Sequence, residues 1–296
     1  RRVDTAFYGA ANLVVHDRAL YVSGARSTYA IDAVSGRIRW EVAPDDSSSA
    51  GSENLADERA LYVGTRDAAT VHALAHPDGG TLWSARLGAD WSHLGAVQGI
   101  SRSGDTLYAT VTRALDAGWV RSHAVVVALD RTNGRELWRH ESVDDGTYDA
   151  AATISGDLLL LSDVDGRAFV ALDRRDGRPL WKTPTAPPYM GPRARPIAEG
   201  DVVYGAAQDG HVYAMRRSDG QVLWRVDTGA SNTHLARCGN TLLAQAQGVA
   251  EIEMATGRLR RVILDDPDDF TTTGFVVDGR RAYAGGTLAV YALRCG

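Results

Sequence analysis

Tyr213-Ala214-Met215-Arg216-Arg217-Ser218-Asp219-Gly220-Gln221-Val222-Leu223-Trp224 is the stretch on which the fold turns. A short apolar alternation runs into an Asp-Gly pair and leaves it as a second alternation. That is a strong hairpin signal, because glycine accepts the positive φ of a tight turn. The same pattern recurs upstream. Tyr29-Ala30-Ile31-Asp32 leads to Gly36 and Trp40, Val127-Ala128-Leu129-Asp130 to Gly134 and Trp138, and Val170-Ala171-Leu172-Asp173 to Gly177 and Trp181. Trp83 closes a fifth copy, and the five tryptophans are separated by 43, 55, 43 and 43 residues.

Before each such strand comes another, as in Leu61-Tyr62-Val63-Gly64, Leu107-Tyr108-Ala109-Thr110 and Val203-Tyr204-Gly205-Ala206. Four short strands per repeat, evenly punctuated by turns, select a β-propeller over a sandwich or barrel. Two further copies are degraded. One keeps Ala255-Thr256-Gly257-Arg258 but has Arg261 where tryptophan should stand, and the other runs through Gly279, Tyr283 and Val290-Tyr291-Ala292-Leu293. The expectation is an all-β, seven-bladed propeller of four-stranded antiparallel blades, forming one domain over residues 1–296. Arg2-Val3-Asp4-Thr5 matches Arg225-Val226-Asp227-Thr228 residue for residue. Residues 1–7 should therefore supply the outer strand of the last blade, a closure that removes open sheet edges.

The totals bound the function. With 44% apolar residues in 296, a core is easily built, and no apolar run is long enough to span a membrane within this chain. Arg1-Arg2-Val3-Asp4 is no basic-then-apolar leader. The net charge is −5 with no basic stretch, which argues against nucleic acid as a partner.

The repeat Tyr-x-Ala-Leu-Asp-x-x-x-Gly-x-x-x-Trp resembles that of the pyrroloquinoline-quinone-like propellers, over essentially the whole chain. The resemblance implies that the tryptophans pack between adjacent blades. It also implies one of three roles: quinone-dependent dehydrogenase, outer-membrane assembly scaffold, or extracellular sensor domain of a bacterial receptor Ser/Thr kinase. The dehydrogenases and the scaffolds usually carry eight blades, and the dehydrogenases need an adjacent cysteine pair. The two cysteines here, Cys238 and Cys295, lie far apart in sequence. By size the sensor domain fits best, so the expected function is a non-catalytic, extracytoplasmic ligand- or partner-binding propeller. The alternatives are a lipoprotein-type interaction scaffold and, behind it, a quinoprotein or metal-assisted lyase.

Catalytic motifs are missing. The eight histidines form no His-x-x-x-His pair and no Cys-x-x-Cys exists, so they read as exposed or strand-end residues, and no cofactor or metal is expected. The acidic run Asp265-Asp266-Pro267-Asp268-Asp269 has enough carboxylates for calcium, but its central proline suits a solvated loop. In a propeller the blade-joining loops and the middle hairpins share one rim. Here they carry Trp91, His93, Trp119, Arg121, Tyr148, Tyr189, Arg193, Arg195 and His234, the aromatic and cationic groups a small-molecule, peptide or protein site would use. Arg193 and Arg195, one residue apart on an inner strand, should share a face and favour an anion. The competing reading is that the aromatics plug the channel mouth and the arginines neutralise acidic loops.

Blade three is longer than the rest. Leu61 to Leu74 takes 13 positions across the middle hairpin of blade two, whereas Leu107 to Leu129 takes 22. Nine extra residues therefore enter the hairpin between Thr110 and Ala124, with Trp119 near its tip, and three enter the preceding loop with Trp91 and His93. An exposed tryptophan beside arginine suits an interface anchor, although loops also accept insertions cheaply. Finally, Cys238 at the first turn of blade six and Cys295 after the third strand of blade seven fall on neighbouring turns of one rim. A disulfide between them suits an exported chain.

Overall fold

The computed structural model describes residues 12–24, 27–43, 53–66, 69–89, 91, 94–116, 118, 120–186, 191–229, 234–246, 248–263, 274–285 and 290–295. They build strands only, in seven antiparallel sheets, and among them no helix is long and apolar enough to cross a membrane. The chain divides into two compact units, Arg1–Ala152 and Thr153–Gly296, which are taken in turn.

The first unit holds blades one to three. Blade one is Asn12–His16, Ala19–Ser23, Thr28–Asp32 and Ile38–Val42; blade two is Leu55–Ala56, Leu61–Gly64, Thr70–Leu74 and Thr81–Arg86. Blade three has longer strands, Gly95–Ser103, Thr106–Ala114, Ser122–Asp130 and Glu136–Glu141. The second unit holds blade four (Thr153–Ser155, Leu158–Asp163, Ala168–Asp173, Pro179–Pro184) and blade five (Ile197–Glu199, Val202–Ala206, His211–Arg216, Val222–Asp227). Blade six is Leu235–Cys238, Thr241–Ala246, Gly248–Glu253 and Leu259–Ile263, and blade seven is Phe275–Asp278, Arg281–Gly285 and Val290–Arg294. Every sheet is a meander in which consecutive strands pair. Blade seven has three strands among the described residues, and residues 1–7, expected to close it, lie outside them.

The repeated motif owes its form to local chemistry. In blade one the Asp32 carboxylate accepts the backbone N–H groups of Val34 at 3.1 Å and Ser35 at 2.7 Å, folding the chain back after the third strand. The Arg39 guanidinium, and after it the Ser35 N–H, hold that carboxyl well below the usual range. Trp40 then pairs with Ala30 across the sheet, and the same Ala–Trp register recurs in blades two to five. In blades one, two, three and five a tyrosine on the second strand lies against this tryptophan, with ring centroids 5.8–6.0 Å apart.

Four of these tryptophans also tie their blade to the next. Trp40 Nε1 donates to the His76 carbonyl at 2.8 Å, Trp83 to Arg131 at 3.1 Å, Trp181 to Arg217 at 3.0 Å and Trp224 to Met254 at 3.2 Å. The ring lies under the turn glycine of the following blade. A Cβ on Gly220, whose φ is +72°, would come within 2.6 Å of the Trp181 ring, so only glycine fits there.

Blade six breaks the pattern at two positions rather than one. Arg261 replaces tryptophan, and its cross-strand partner is Glu251 in place of alanine. The two form a bidentate ion pair, Nε to Oε2 at 2.8 Å and Nη2 to Oε1 at 3.0 Å. The histidines are also less peripheral than their sequence suggested. His72 is buried, and His76 bridges the Tyr21 hydroxyl and the Asp57 carbonyl, each at 2.7 Å.

Candidate functional site

The described residues of the blade-three insertion are mostly strand. They extend two strands that stay paired from Thr106↔Asp130 to Ala114↔Ser122, so that the hairpin outreaches its counterparts. Its tip is closed by one side chain: Asp116 Oδ1 accepts the N–H groups of Gly118 and Val120, and Oδ2 that of Arg121, all at 3.0 Å.

The base of the hairpin is pinned from several directions. Arg113 and His123 face one another across the two strands, and both reach the Glu141 carboxylate, at 2.8 and 2.7 Å. The Arg113 guanidinium lies 5.4 Å from the centroid of the Trp91 ring, and that of Arg139 lies 5.8 Å away. Arg139 also donates to the Leu87 carbonyl at 2.9 Å and to Glu136 at 2.7 Å. The indole leaves no room beside it. A Cβ on Gly95 would come within 2.2 Å of the ring and one on Gly88 within 2.7 Å. Next to this cluster, burial pushes the His140 imidazole below its usual range, which favours the neutral ring. Trp91, expected as a ligand-facing aromatic, is half-buried and serves as the wedge on which the hairpin is seated.

Beyond this base three apolar side chains are exposed. Val120 at the tip is 86% exposed and Val143, in the segment after the fourth strand, is 91% exposed. Leu94, whose carbonyl accepts the Ala114 N–H at 2.9 Å, is exposed as well. Arg121 lies 3.5 Å from Asp145 and so links the tip to the segment carrying Val143. Neither Val120, Val143, Leu94 nor Glu141 stood out in sequence. A lone valine in a polar loop carries no signal until its neighbours are known. Trp119 and His93 lie outside the described residues. Tyr148 is 2% exposed, and burial removes it from direct contact with a ligand.

In the second unit Arg193 and Arg195 are exposed and flank the buried Ala194, whose carbonyl accepts the Ser162 hydroxyl at 2.7 Å. They precede the strand Ile197–Glu199 instead of lying on it, so strand alternation does not set their direction. Pro192 makes an isolated bridge to Ala207, and Arg195 Nε donates to the Thr153 hydroxyl at 3.2 Å. His234 is half-buried with Nδ1 3.1 Å from Gln245 Oε1, while Tyr189 lies outside the described residues. Cys238 and Cys295 are joined as a disulfide with a Cα–Cα distance of 5.1 Å. Among the described residues no three His, Cys, Asp or Glu side chains converge as a metal site requires, and the acidic run 265–269 lies outside them.

A family model described as outer membrane protein assembly factor BamB matches residues 4–117 and 122–269. No curated protein matches the chain. Among solved structures, BamB from Moraxella catarrhalis superposes with a TM-score of 0.71 at 18% identity, covering 96% of this chain and 81% of that one. Sqt1 from Saccharomyces cerevisiae gives 0.70 at 12% identity, covering 94% and 81%. The quinohemoprotein alcohol dehydrogenase ADHIIG from Pseudomonas putida HK5 gives 0.65 at 17% identity, covering 96% of this chain but only 52% of the enzyme. At such identities the likeness establishes the fold, an all-β propeller, and leaves function to be argued from the site.

Proposed function

This chain belongs to the family described as outer membrane protein assembly factor BamB, and from that premise we propose that it is a non-catalytic, extracytoplasmic scaffold that docks a partner protein. The observation that carries the proposal is the blade-three hairpin: an extended projection, seated on Trp91, that exposes Val120 with Arg121 beside it, Arg121 in turn reaching Asp145 in the segment that exposes Val143. Apolar side chains held out on a preorganised element, next to a charged group, have the composition of a protein interface. The quinone chemistry of the dehydrogenase relatives finds no support in the chain's own residues. Its only two cysteines are bonded to one another across 57 residues, so the adjacent pair that chemistry needs is missing. The same disulfide supports an oxidising compartment.

Arg121 is retained from the sequence-based site as a contact residue, with Trp91 in a supporting role. Trp119 and His93 extend the same proposal, as near neighbours in sequence. Arg193, Arg195, Tyr189 and His234 belong to a second proposed surface in the other unit. A kinase sensor would use such surfaces too, but the family description favours the scaffold.

Photo-crosslinking decides the matter. A crosslinking residue at Val120 or Val143, introduced into the protein in its native cell envelope, should yield a discrete adduct with one envelope protein. That adduct should vanish in an Arg121→Glu background. No adduct from either position, with discrete adducts from Arg193 instead, would move the docking site away from the hairpin.

A further inference from the structure

Three arginines gather in one cleft of the second unit, and among the described residues none of them is paired with a carboxylate. The cleft, about 650 Å³, lies between blades six and seven and is lined by Gly239, Asn240, Gly279, Arg280, Arg281 and Arg294, together with Cys295. Arg281 and Arg294 are direct cross-strand partners, an arrangement that sets two like charges side by side and costs stability. Arg280 adjoins them, and its carbonyl accepts the Cys295 N–H at 2.8 Å. Among the described residues none of the three makes an ion pair, although Asp278 stands opposite Arg281 in the hairpin register. Neighbouring arginines behave otherwise: Arg237 pairs with Glu199, Arg258 and Arg260 with Glu253, and Arg261 with Glu251.

The walls of the cleft are fixed. The turn at Gly239-Asn240 and the end of the Val290–Arg294 strand are bolted together by the Cys238–Cys295 disulfide. Gly239 and Gly279 take positive φ, at 65° and 57°, and as glycines they line the cleft without a side chain to fill it. Guanidinium groups concentrated in such a concavity, in a chain of net charge −5, suit an anion. We propose that this cleft is a binding site for a phosphate-class oxyanion. A carboxylate has two oxygens and satisfies one guanidinium fork. A phosphate has oxygens for two or three and a second negative charge to offset the clustered cations. The proposal stands independently of the scaffold reading.

The anion could be a free phosphate or the headgroup of a phospholipid, and the test separates the two. Inorganic phosphate is titrated calorimetrically into the full chain at ionic strength held constant with chloride. In parallel, the protein is sedimented with vesicles of phosphatidic acid and with vesicles of phosphatidylcholine. A saturable heat that weakens by about tenfold or more in the Arg281→Gln/Arg294→Gln variant supports a soluble phosphate ligand. Sedimentation with phosphatidic acid alone, lost in the same variant and without heat from free phosphate, supports a headgroup. A response to neither probe, or one the variant retains, overturns the proposal. The variant's melting temperature gives a second readout. Without phosphate it should match or exceed that of the parent, since a like-charge pair is relieved. With phosphate only the parent should shift upward. A large fall in the variant's melting temperature without ligand would show that the arginines serve the fold, and would also overturn the site.

Discussion

Trp181 shows how much of this protein rests on single side chains. Its ring is buried under Gly220 and its Nε1 satisfies the Arg217 carbonyl of the following blade. Replacing it with alanine removes the packing and the bond together, and Trp181→Ala should cost about 3–5 kcal/mol in denaturant unfolding. Gly220→Ala should cost about 1–3 kcal/mol at the same site, from the left-handed backbone and the Cβ clash combined. Glu251 and Arg261 present the opposite case. The pair replaces a tryptophan–alanine contact, Glu251 being 9% exposed and the Arg261 side chain largely in solvent. A double-mutant cycle through Glu251→Ala and Arg261→Ala should show only weak coupling, because water solvates the guanidinium on its outer side.

The turn after the third strand is the recurrent device of blades one to six, and it carries a pH dependence. The Thr132 hydroxyl holds the Asp130 carboxyl below its usual range; the Gln221 N–H and then Arg216 do the same for Asp219, and the Thr256 hydroxyl and then Arg260 for Glu253. Asp32 behaves alike through Arg39. A carboxyl whose folded pKa is depressed adds stability above its unfolded pKa, about 4, and loses it as pH falls through the folded value. The melting temperature should therefore hold from neutral pH down to about 5 and fall steadily below about 4. Asp32→Asn should flatten the acid limb, and a parallel shift at every pH would exclude this origin. The blade-three hairpin is the other element with a consequence. Gly95→Ala would drive a methyl into the Trp91 ring, and is expected to loosen the hairpin and weaken partner crosslinking from Val120 while leaving the other blades folded.

For the whole molecule, the question is how the ends are held. The Cys238–Cys295 bond closes a sequence separation of 57 residues, and constraining the unfolded chain by that much is worth on the order of 4 kcal/mol. The Cys238→Ser/Cys295→Ser variant should lose about 2–4 kcal/mol, and titration of the denatured, unreduced parent should find no reactive thiol. We propose in addition that residues 1–7 pair with Val290–Arg294 and complete the last blade, making one closed domain of the chain. Removing residues 1–7 should then broaden the unfolding transition and expose the Val290–Arg294 amides to hydrogen exchange. Unchanged protection of those amides would leave the N-terminus without this role.

The period of the repeat, the hairpin turns and even individual registers were determined by the sequence. Leu61 pairs with Leu74 and Leu107 with Leu129, as counting from turn to turn requires. Alternation and turn chemistry act over a few residues, so they are written locally. The resemblance carried by Gly220 and Trp224, and by their repeats, also led to the family, although the scaffold role attached to that family fits better than the sensor role inferred from chain size. What a side chain meets across the molecule was decided only in three dimensions. Tyr148 is buried, Trp91 is wedged between Arg113 and Arg139, and Glu251 supplies the partner that Arg261 needs. Arg280, Arg281 and Arg294 converge on one cleft because a strand register and a disulfide bring two turns together. The energy of each of these contacts depends on burial and neighbouring charge, which exist only after the chain has folded.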